Sequence, residues 1–180
     1  STLSSVQKEE FARDMEVYAA MIEYLDMSIG RLFDYLKQQG MYDNTLIVFM
    51  SDNGANGVMA TTYPGNGDGK YLSSFNNALD NRGLPNSFIE MGPGWAQASS
   101  SPFRLFKSFA SEGGIKAPLM IKLPNDTLNH GQWNSSFVHV TDLLPTILQL
   151  AEVSYPKQYN GKEVRQPIGK SLLPVLTGKS

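Results

Sequence analysis

The feature that most constrains the fold is a short, uninterrupted apolar run that ends abruptly in polar residues. Residues 46–50 are Leu-Ile-Val-Phe-Met, and residues 51–54, Ser-Asp-Asn-Gly, follow directly. A run of this length is too short for a helix, and its lack of alternation is typical of a strand buried on both faces, as in parallel sheets covered by helices. The sequence therefore predicts an α/β fold, in which ligands bind beyond the carboxyl ends of strands.

A long amphipathic helix is predicted before this strand. Between residues 6 and 39 the apolar side chains recur at steps of three and four, which is the period of one helix face, and Gly40 follows as a C-cap. Residues 55–115, after the strand, are rich in Gly, Pro, Asn and Ser and keep neither period. Because structureless loops of this length are uncommon, we expect this one both to be functional and to pack against structure outside this chain.

Apolar clusters predict three further elements. Residues 117–121 and 137–140 are each predicted to form a strand, and His139 in the second of these strands is interpreted as a structural histidine. Thr141 is predicted to cap a helix that runs to residue 151, and Asp142 is predicted to supply a negative charge to its first turn.

Composition excludes several classes of function. The chain has 15 Lys and Arg against 17 Asp and Glu and no long basic run, so it lacks the electrostatic signature of a nucleic-acid-binding protein. Its apolar runs fall far short of the roughly 20 residues that span a bilayer. It contains no cysteine, which excludes disulfides, thiolate metal sites and a cysteine nucleophile within these 180 residues. The compartment stays open.

Asp52 and Asn53 are the candidate metal ligands. A carboxylate and an amide carbonyl on adjacent residues at a strand end offer the hard oxygen donors that calcium or magnesium prefers. The same Asn-Gly pair is also a strong signal for a two-residue hairpin, although residues 55–58 do not continue as an alternating strand. The residues alone leave both interpretations open.

Lys107 is the candidate anion-binding residue. Aromatic residues flank it, and the pair Gly113 and Gly114 follows a few positions later, which indicates a backbone turn beside a concave site. A lysine held there is a compact positive charge suited to an anionic oxygen. An isolated lysine is otherwise usually a solvated surface charge.

Several segments, in order, resemble the formylglycine-dependent sulfatases, and in particular the calcium-dependent, bacterial-type arylsulfatases. Tyr18 to Leu32 is similar to the long helix before the family's second metal motif, and Thr45 to Gly54 is similar to that motif itself. The remaining similar segments are residues 75–79, 92–98, 107–118, 141–146 and 169–174.

The resemblance implies a function for each candidate residue. It implies that Asp52 and Asn53 ligate calcium, and that Lys107 contacts the sulfate group of a sulfate ester and stabilises its non-bridging oxygens. In the family a hydrated formylglycine attacks sulfur, and the calcium ion orients the sulfate and neutralises its charge. The nucleophile and the other calcium ligands are expected in the N-terminal remainder of the same protein, so we expect the isolated chain to be inactive.

The resemblance also implies a partial alkaline-phosphatase-like α/β fold, made of the end of the main mixed sheet and the start of a small C-terminal subdomain. Residues 1–151 are predicted to be the C-terminal part of the catalytic domain, and residues 152–180 the beginning of the subdomain. Two alternatives to an arylsulfatase stay open. One is a phosphodiesterase or phosphonate hydrolase of the same superfamily, and the other is a non-catalytic metal-binding module.

Overall fold

A computed structural model describes residues 3–62, 67–125 and 131–178. The chain forms two compact units, Ser1–Asn125 and Asp126–Ser180. The predicted domain boundary between residues 151 and 152 concerns the full-length protein and stays a prediction. Within the described ranges, no helix is both long enough and apolar enough to cross a membrane.

The first unit begins with the predicted long helix. This helix, α1, spans Ser5–Gln38 and is opened by a capping box at Ser4. At its end Gly40 adopts a left-handed conformation with φ of 65°, and the N–H of Met41 donates to the carbonyl of Leu36 at 2.8 Å. These contacts satisfy carbonyls that the end of a helix leaves unpaired. The helix and its glycine cap are therefore confirmed.

Two strands follow in the predicted places. β1 spans Ile47–Met50 and pairs antiparallel with β2, which spans Leu119–Lys122. The expectation of a parallel-type strand buried on both faces is wrong for this chain, because β1 pairs antiparallel and Phe49 and Met50 are 39% and 36% exposed. An uninterrupted apolar run shows that both faces of a strand are apolar, whereas this chain covers them only in part.

The region between the strands consists mainly of irregular backbone and short helical segments. The helix Gly92–Ser99 was not predicted from the sequence, because its first residues, Gly-Pro-Gly, usually interrupt a helix, although proline is well accommodated in the first turn. The segments are the 3₁₀ turns Ala60–Thr62 and Leu79–Asn81, and the helices α2 (Lys70–Ser73), α3 (Gly92–Ser99) and α4 (Glu112–Ile115).

Polar contacts of Arg82 and Trp95 tie this region to α1. Arg82 donates from Nη1 to the Asp14 carboxylate at 2.6 Å, and the Asp14 residue is only 6% exposed. The indole N–H of Trp95 in α3 donates to the carbonyl of Phe11 at 2.8 Å. A buried carboxylate needs such a partner, so these contacts fix the irregular region against the helix.

The second unit contains a 3₁₀ turn, two short helices and a small hairpin. The 3₁₀ turn Val140–Asp142 leads into α5, Leu143–Leu150, and α6 spans Leu173–Leu176. β3, Gln158–Tyr159, pairs antiparallel with β4, Lys162–Glu163. The predicted strand at 137–140 is wrong. Phe137 is 94% exposed, and the described residues around it offer that segment no pairing partner.

The predicted cap of this helix is corrected as well. Asp142, not Thr141, occupies the cap position of α5, because the chain already turns into a 3₁₀ segment at Val140, which His139 caps. The Asp142 carboxylate accepts the N–H of His139 at 2.9 Å, so the predicted negative charge lies in this 3₁₀ turn, directly before the first turn of α5. His139 also lies 2.9 Å from the Thr141 hydroxyl through Nδ1, in keeping with a structural histidine.

Asp142 additionally joins two distant segments of the second unit. Its other carboxylate oxygen accepts the N–H of Lys170 at 2.8 Å. These backbone hydrogen bonds, that of Lys170 first, hold the pKa of Asp142 below its usual value. The buried Thr146 hydroxyl accepts the N–H of Leu172 at 2.8 Å and donates to the carbonyl of Asp142 at 2.6 Å. These hydrogen bonds therefore hold the segments at 141–146 and 169–174 together.

Candidate functional site

Asp52, Asn53 and Lys107 line one cleft in the first unit, with a volume of about 640 Å³. Its walls come from the segment that follows β1, from residues 88–91, and from Tyr18 on α1 and Tyr71 on α2. The three residues singled out by the sequence are thus brought together, although more than fifty positions separate Lys107 from the other two. Asp52 is exposed, and Asn53 and Lys107 are half-buried.

The segment that carries Asp52 and Asn53 is fixed on both sides by backbone hydrogen bonds. The N–H of Ser51 donates to the carbonyl of Pro118 at 3.3 Å, and the N–H of Gly54 donates to the carbonyl of Gly114 at 3.1 Å. The hairpin interpretation of Asn53-Gly54 does not hold, because β1 pairs with β2 and not with a strand directly after Gly54. The turn instead projects two oxygen-bearing side chains beyond the end of β1.

The glycines of this region allow two backbone segments to approach closely. A Cβ atom at Gly54 would lie 1.8 Å from the carbonyl oxygen of Gly113, far inside van der Waals contact. Gly113 and Gly114 are both buried at the start of α4. The segment after β1 therefore meets the chain between Lys107 and β2 at Gly113 and Gly114, the pair from which a turn beside a concave site was predicted.

Lys107 is anchored through its backbone and the residues beside it. Its N–H donates to the carbonyl of Ala55 at 3.0 Å. The neighbouring ring of Phe106 packs edge-on against Phe109 with centroids 5.3 Å apart, and it fills the space beside Gly57. Within the described part of the chain, the Lys107 ammonium forms no salt bridge, so its charge is available to a ligand in the cleft.

Glu90 also lines the cleft, although it was not among the candidate residues predicted from the sequence. Its carboxylate accepts the N–H of Ala60, a buried residue that lines the same cleft. Burial raises the pKa of Glu90 above its ordinary value of 4.5, against the opposing effect of this hydrogen bond. The available signal was a single acidic residue inside an otherwise apolar stretch, Phe-Ile-Glu-Met at 88–91.

An aromatic cluster forms one wall beside Glu90. The rings of Tyr71, Phe75 and Phe88 lie 5.3 to 5.5 Å apart between centroids, and Tyr71 meets both phenylalanines edge-on. Tyr71 and Phe88 line the cleft directly. Such pairs contribute stabilisation beyond the area they bury, so the wall is a preformed apolar surface.

The donors in the cleft match calcium in type but not in number. Asp52 and Asn53 offer a carboxylate and an amide oxygen, and none of the described residues donates a hydrogen bond to either side chain. Calcium takes six to eight oxygen ligands. The described ranges hold no group of three or more Asp, Glu, His or Cys that could bind a metal ion by itself, so a complete site needs further ligands.

Comparison with known proteins identifies the class. Residues 2–153 match the Sulfatase family, and the chain belongs to it. It is similar to an uncharacterized sulfatase of Schizosaccharomyces pombe, with 48% identity over 169 residues that cover 93% of this chain and 30% of the relative. It is also similar to an arylsulfatase of Klebsiella aerogenes, with 37% identity over 178 residues that cover 98% of this chain and 38% of that protein.

A solved structure supports the fold. The chain aligns over its whole length with 32% of a chain described as Ps i-CgsB in complex with k-i-k-neocarrahexaose, at a TM-score of 0.59 and 24% identity. The resemblance to sulfatases is thus confirmed, and the chain is a segment of the alkaline-phosphatase-like sulfatase fold with helices and few strands. It spans about a third of the length of these relatives.

Proposed function

We propose that the full-length protein hydrolyses sulfate esters, and that Asp52, Asn53 and Lys107 contribute to its active site. The observation that carries this proposal is their common position on one cleft, in a chain of the sulfatase family. Oxygen donors for a divalent cation beside an ammonium group are what binding of an anionic ester requires. The relative from Klebsiella aerogenes is named an arylsulfatase, and this name favours aryl sulfates as the substrate class.

The charges that line the cleft support a bound cation. The described residues place two carboxylates, those of Asp52 and Glu90, against the single ammonium of Lys107, which gives a formal charge of −1. A sulfate group entering such a cleft would be repelled unless a divalent cation were bound as well. Calcium held by Asp52 and Asn53, together with ligands from elsewhere, would supply this charge and orient the sulfate oxygens.

Lys107 then provides the second positive charge. Its backbone is fixed by the hydrogen bond to Ala55, and its ammonium has no salt-bridge partner among the described residues. A preorganised cation of this kind stabilises charge that develops on the non-bridging sulfate oxygens as the ester bond breaks.

We place the remaining parts of the site outside this chain. The chain spans about a third of the length of its relatives, and its described residues hold no group of three or more Asp, Glu, His or Cys that could bind a metal ion. The formylglycine nucleophile and the other acidic ligands therefore belong to the rest of the full-length protein. In this assignment the chain contains the end of the main mixed sheet and the start of the C-terminal subdomain, and it has no turnover by itself.

A substrate panel on the full-length protein tests the proposal against its nearest rivals. We expect hydrolysis of aryl sulfate monoesters to exceed hydrolysis of phosphate diesters and phosphonate esters with the same leaving group. Preference for the phosphorus esters would assign the protein to the phosphodiesterase or phosphonate hydrolase class. Calcium binding without hydrolysis of any ester would identify a non-catalytic module.

A further inference from the structure

We infer that Glu90 is a specificity-determining residue of the cleft, selecting sulfate esters whose alcohol part carries a hydrogen-bond donor, either a hydroxyl or a protonated amine. This inference rests on the proposed function and adds the substrate class to it. It starts from the position of the Glu90 carboxylate, which accepts the N–H of Ala60 where both residues line the cleft.

The charge of Glu90 determines which part of a substrate it can face. Its carboxylate would repel the sulfate group, which in the proposed function lies at Lys107 and the cation. The remaining part of the ester is the alcohol moiety, so this is the part that Glu90 can contact. Among the described residues, the other titratable groups that line the cleft are Asp52, Lys107, Tyr18 and Tyr71.

The carboxylate has capacity for a ligand. An ionised carboxylate can accept about four hydrogen bonds, and among the described residues only the N–H of Ala60 donates to Glu90. Partial burial has removed some of its water, as its raised pKa reflects. A substrate donor that reached it would therefore form a charge-assisted hydrogen bond in a partly desolvated place, where such bonds are strongest.

The neighbouring wall restricts the alcohol part further. Tyr71 and Phe88 present aromatic surface to the same cleft, and their rings pack against each other at 5.5 Å. An aromatic or other flat apolar group can lie against this wall while a polar substituent on it reaches Glu90. A protonated amine would also be attracted by the ring faces. A second anionic group on the alcohol part would be disfavoured.

Glu90→Gln in the full-length protein isolates the charge. The glutamine carbonyl can still accept the N–H of Ala60, so the structural hydrogen bond is kept while the negative charge is lost. The substrates are four aryl sulfates: an unsubstituted parent, and derivatives with a hydroxyl, an aminomethyl or a carboxylate group. We expect the wild type to favour the hydroxyl and aminomethyl esters over the parent. In Glu90→Gln, the ratio of kcat/KM for the aminomethyl ester to kcat/KM for the parent should be about tenfold smaller than in the wild type.

The controls separate a structural role from a selective one. Glu16→Gln removes an equivalent charge from an exposed surface pair with Arg13 on α1 and should leave the three ratios of kcat/KM to the parent ester unchanged. Glu90→Asp should keep part of the preference, since it keeps the charge. Thermal unfolding between pH 4 and 8 checks folding. Because burial raises the pKa of Glu90, the stability of the wild type should fall relative to Glu90→Gln as the pH rises past 4.5.

Several outcomes would overturn the inference. Ratios that change by less than about twofold in Glu90→Gln would show that the carboxylate does not contact the alcohol part. A weakened calcium affinity in the same variant would instead place Glu90 at the cation. If neither protein hydrolysed any sulfate ester while both bound calcium, the proposed function itself would fail, and the inference with it.

Discussion

The N–H of Lys107 donates to the carbonyl of Ala55 at 3.0 Å, which ties the loop that carries the ammonium to the segment directly after Asp52 and Asn53. Because this bond joins the two backbones, the two parts of the candidate site cannot move independently. Sites that bind and orient a reacting group depend on such fixed positions, since small displacements reduce rates strongly.

Gly54→Ala tests the close approach that supports this arrangement. A Cβ atom at this position would lie 1.8 Å from the carbonyl oxygen of Gly113, which belongs to backbone and cannot turn away. We expect a loss of unfolding free energy of about 1–3 kcal/mol, the usual cost of overpacking, with a loss of sulfate ester hydrolysis. Denaturant unfolding and kcat/KM of the full-length protein measure the two effects.

Gly94→Ala is the matched control. Gly94 lies in α3, and none of the described residues lies within 4 Å of a Cβ atom placed there. The substitution should be neutral or stabilise the protein by up to about 1 kcal/mol, because alanine is the better helix former. Equal losses for both variants would mean that the contact between Gly54 and Gly113 has no special importance.

The parts of this fold that the sequence predicts are those set by local patterns. The period of α1, its cap at Gly40 and the two apolar strands all depend on residues within a few positions of one another. The errors concern relationships over longer distances. The partner of β1 lies some seventy residues further on. An apolar run does not indicate whether the partner strand is parallel or antiparallel, or what covers the faces of the strand.

The same contrast between local patterns and distant contacts applies to the residues of the candidate site. Asp52 and Asn53 were predicted because they follow a strand directly, and Lys107 because aromatic residues flank it and the pair Gly113 and Gly114 follows. Glu90 was not predicted because its hydrogen-bond partner, Ala60, is thirty residues away, and an acidic residue in an apolar stretch does not by itself reveal such a distant contact. Thr141 was predicted to cap α5 because threonine is a common N-cap residue, whereas the 3₁₀ turn capped by His139 places Asp142 at the cap position of α5.

Asp142→Asn tests the contact that joins the two ends of the second unit. The pKa of Asp142 is lowered in the folded state, first by the N–H of Lys170 and then by that of His139. The ionised form is thus favoured by folding, so its contribution to stability is present above the unfolded pKa of 3.8 and is lost as the pH falls through the lower folded pKa. We expect Asp142→Asn to lower the unfolding free energy by about 1 kcal/mol at neutral pH.

The pH dependence makes this measurement specific. The difference in stability between the wild type and Asp142→Asn should shrink as the pH is lowered below 3.8, because the wild-type carboxylate then becomes protonated. Asp34→Asn, which removes an exposed carboxylate from α1, should change little at any pH. A difference that stayed constant down to pH 2, monitored by thermal unfolding, would assign the effect to shape and not to charge.

The central claim is that Asp52, Asn53 and Lys107 form one site for a sulfate ester and its cation. Lys107→Met in the full-length protein should lower kcat/KM for an aryl sulfate by about a hundredfold without changing the calcium concentration needed for activity. Lys37→Met, at an exposed lysine of α1, is the control and should keep wild-type kinetics.

The most direct measurement is kcat/KM for the same aryl sulfate as a function of calcium concentration, compared between the wild type and Asp52→Asn. Asparagine keeps an oxygen donor but loses the negative charge, so the variant should need more calcium and remain at least about tenfold slower at saturation. Calcium dependence and rates within about twofold of the wild type would contradict the assignment of this strand end as the cation site.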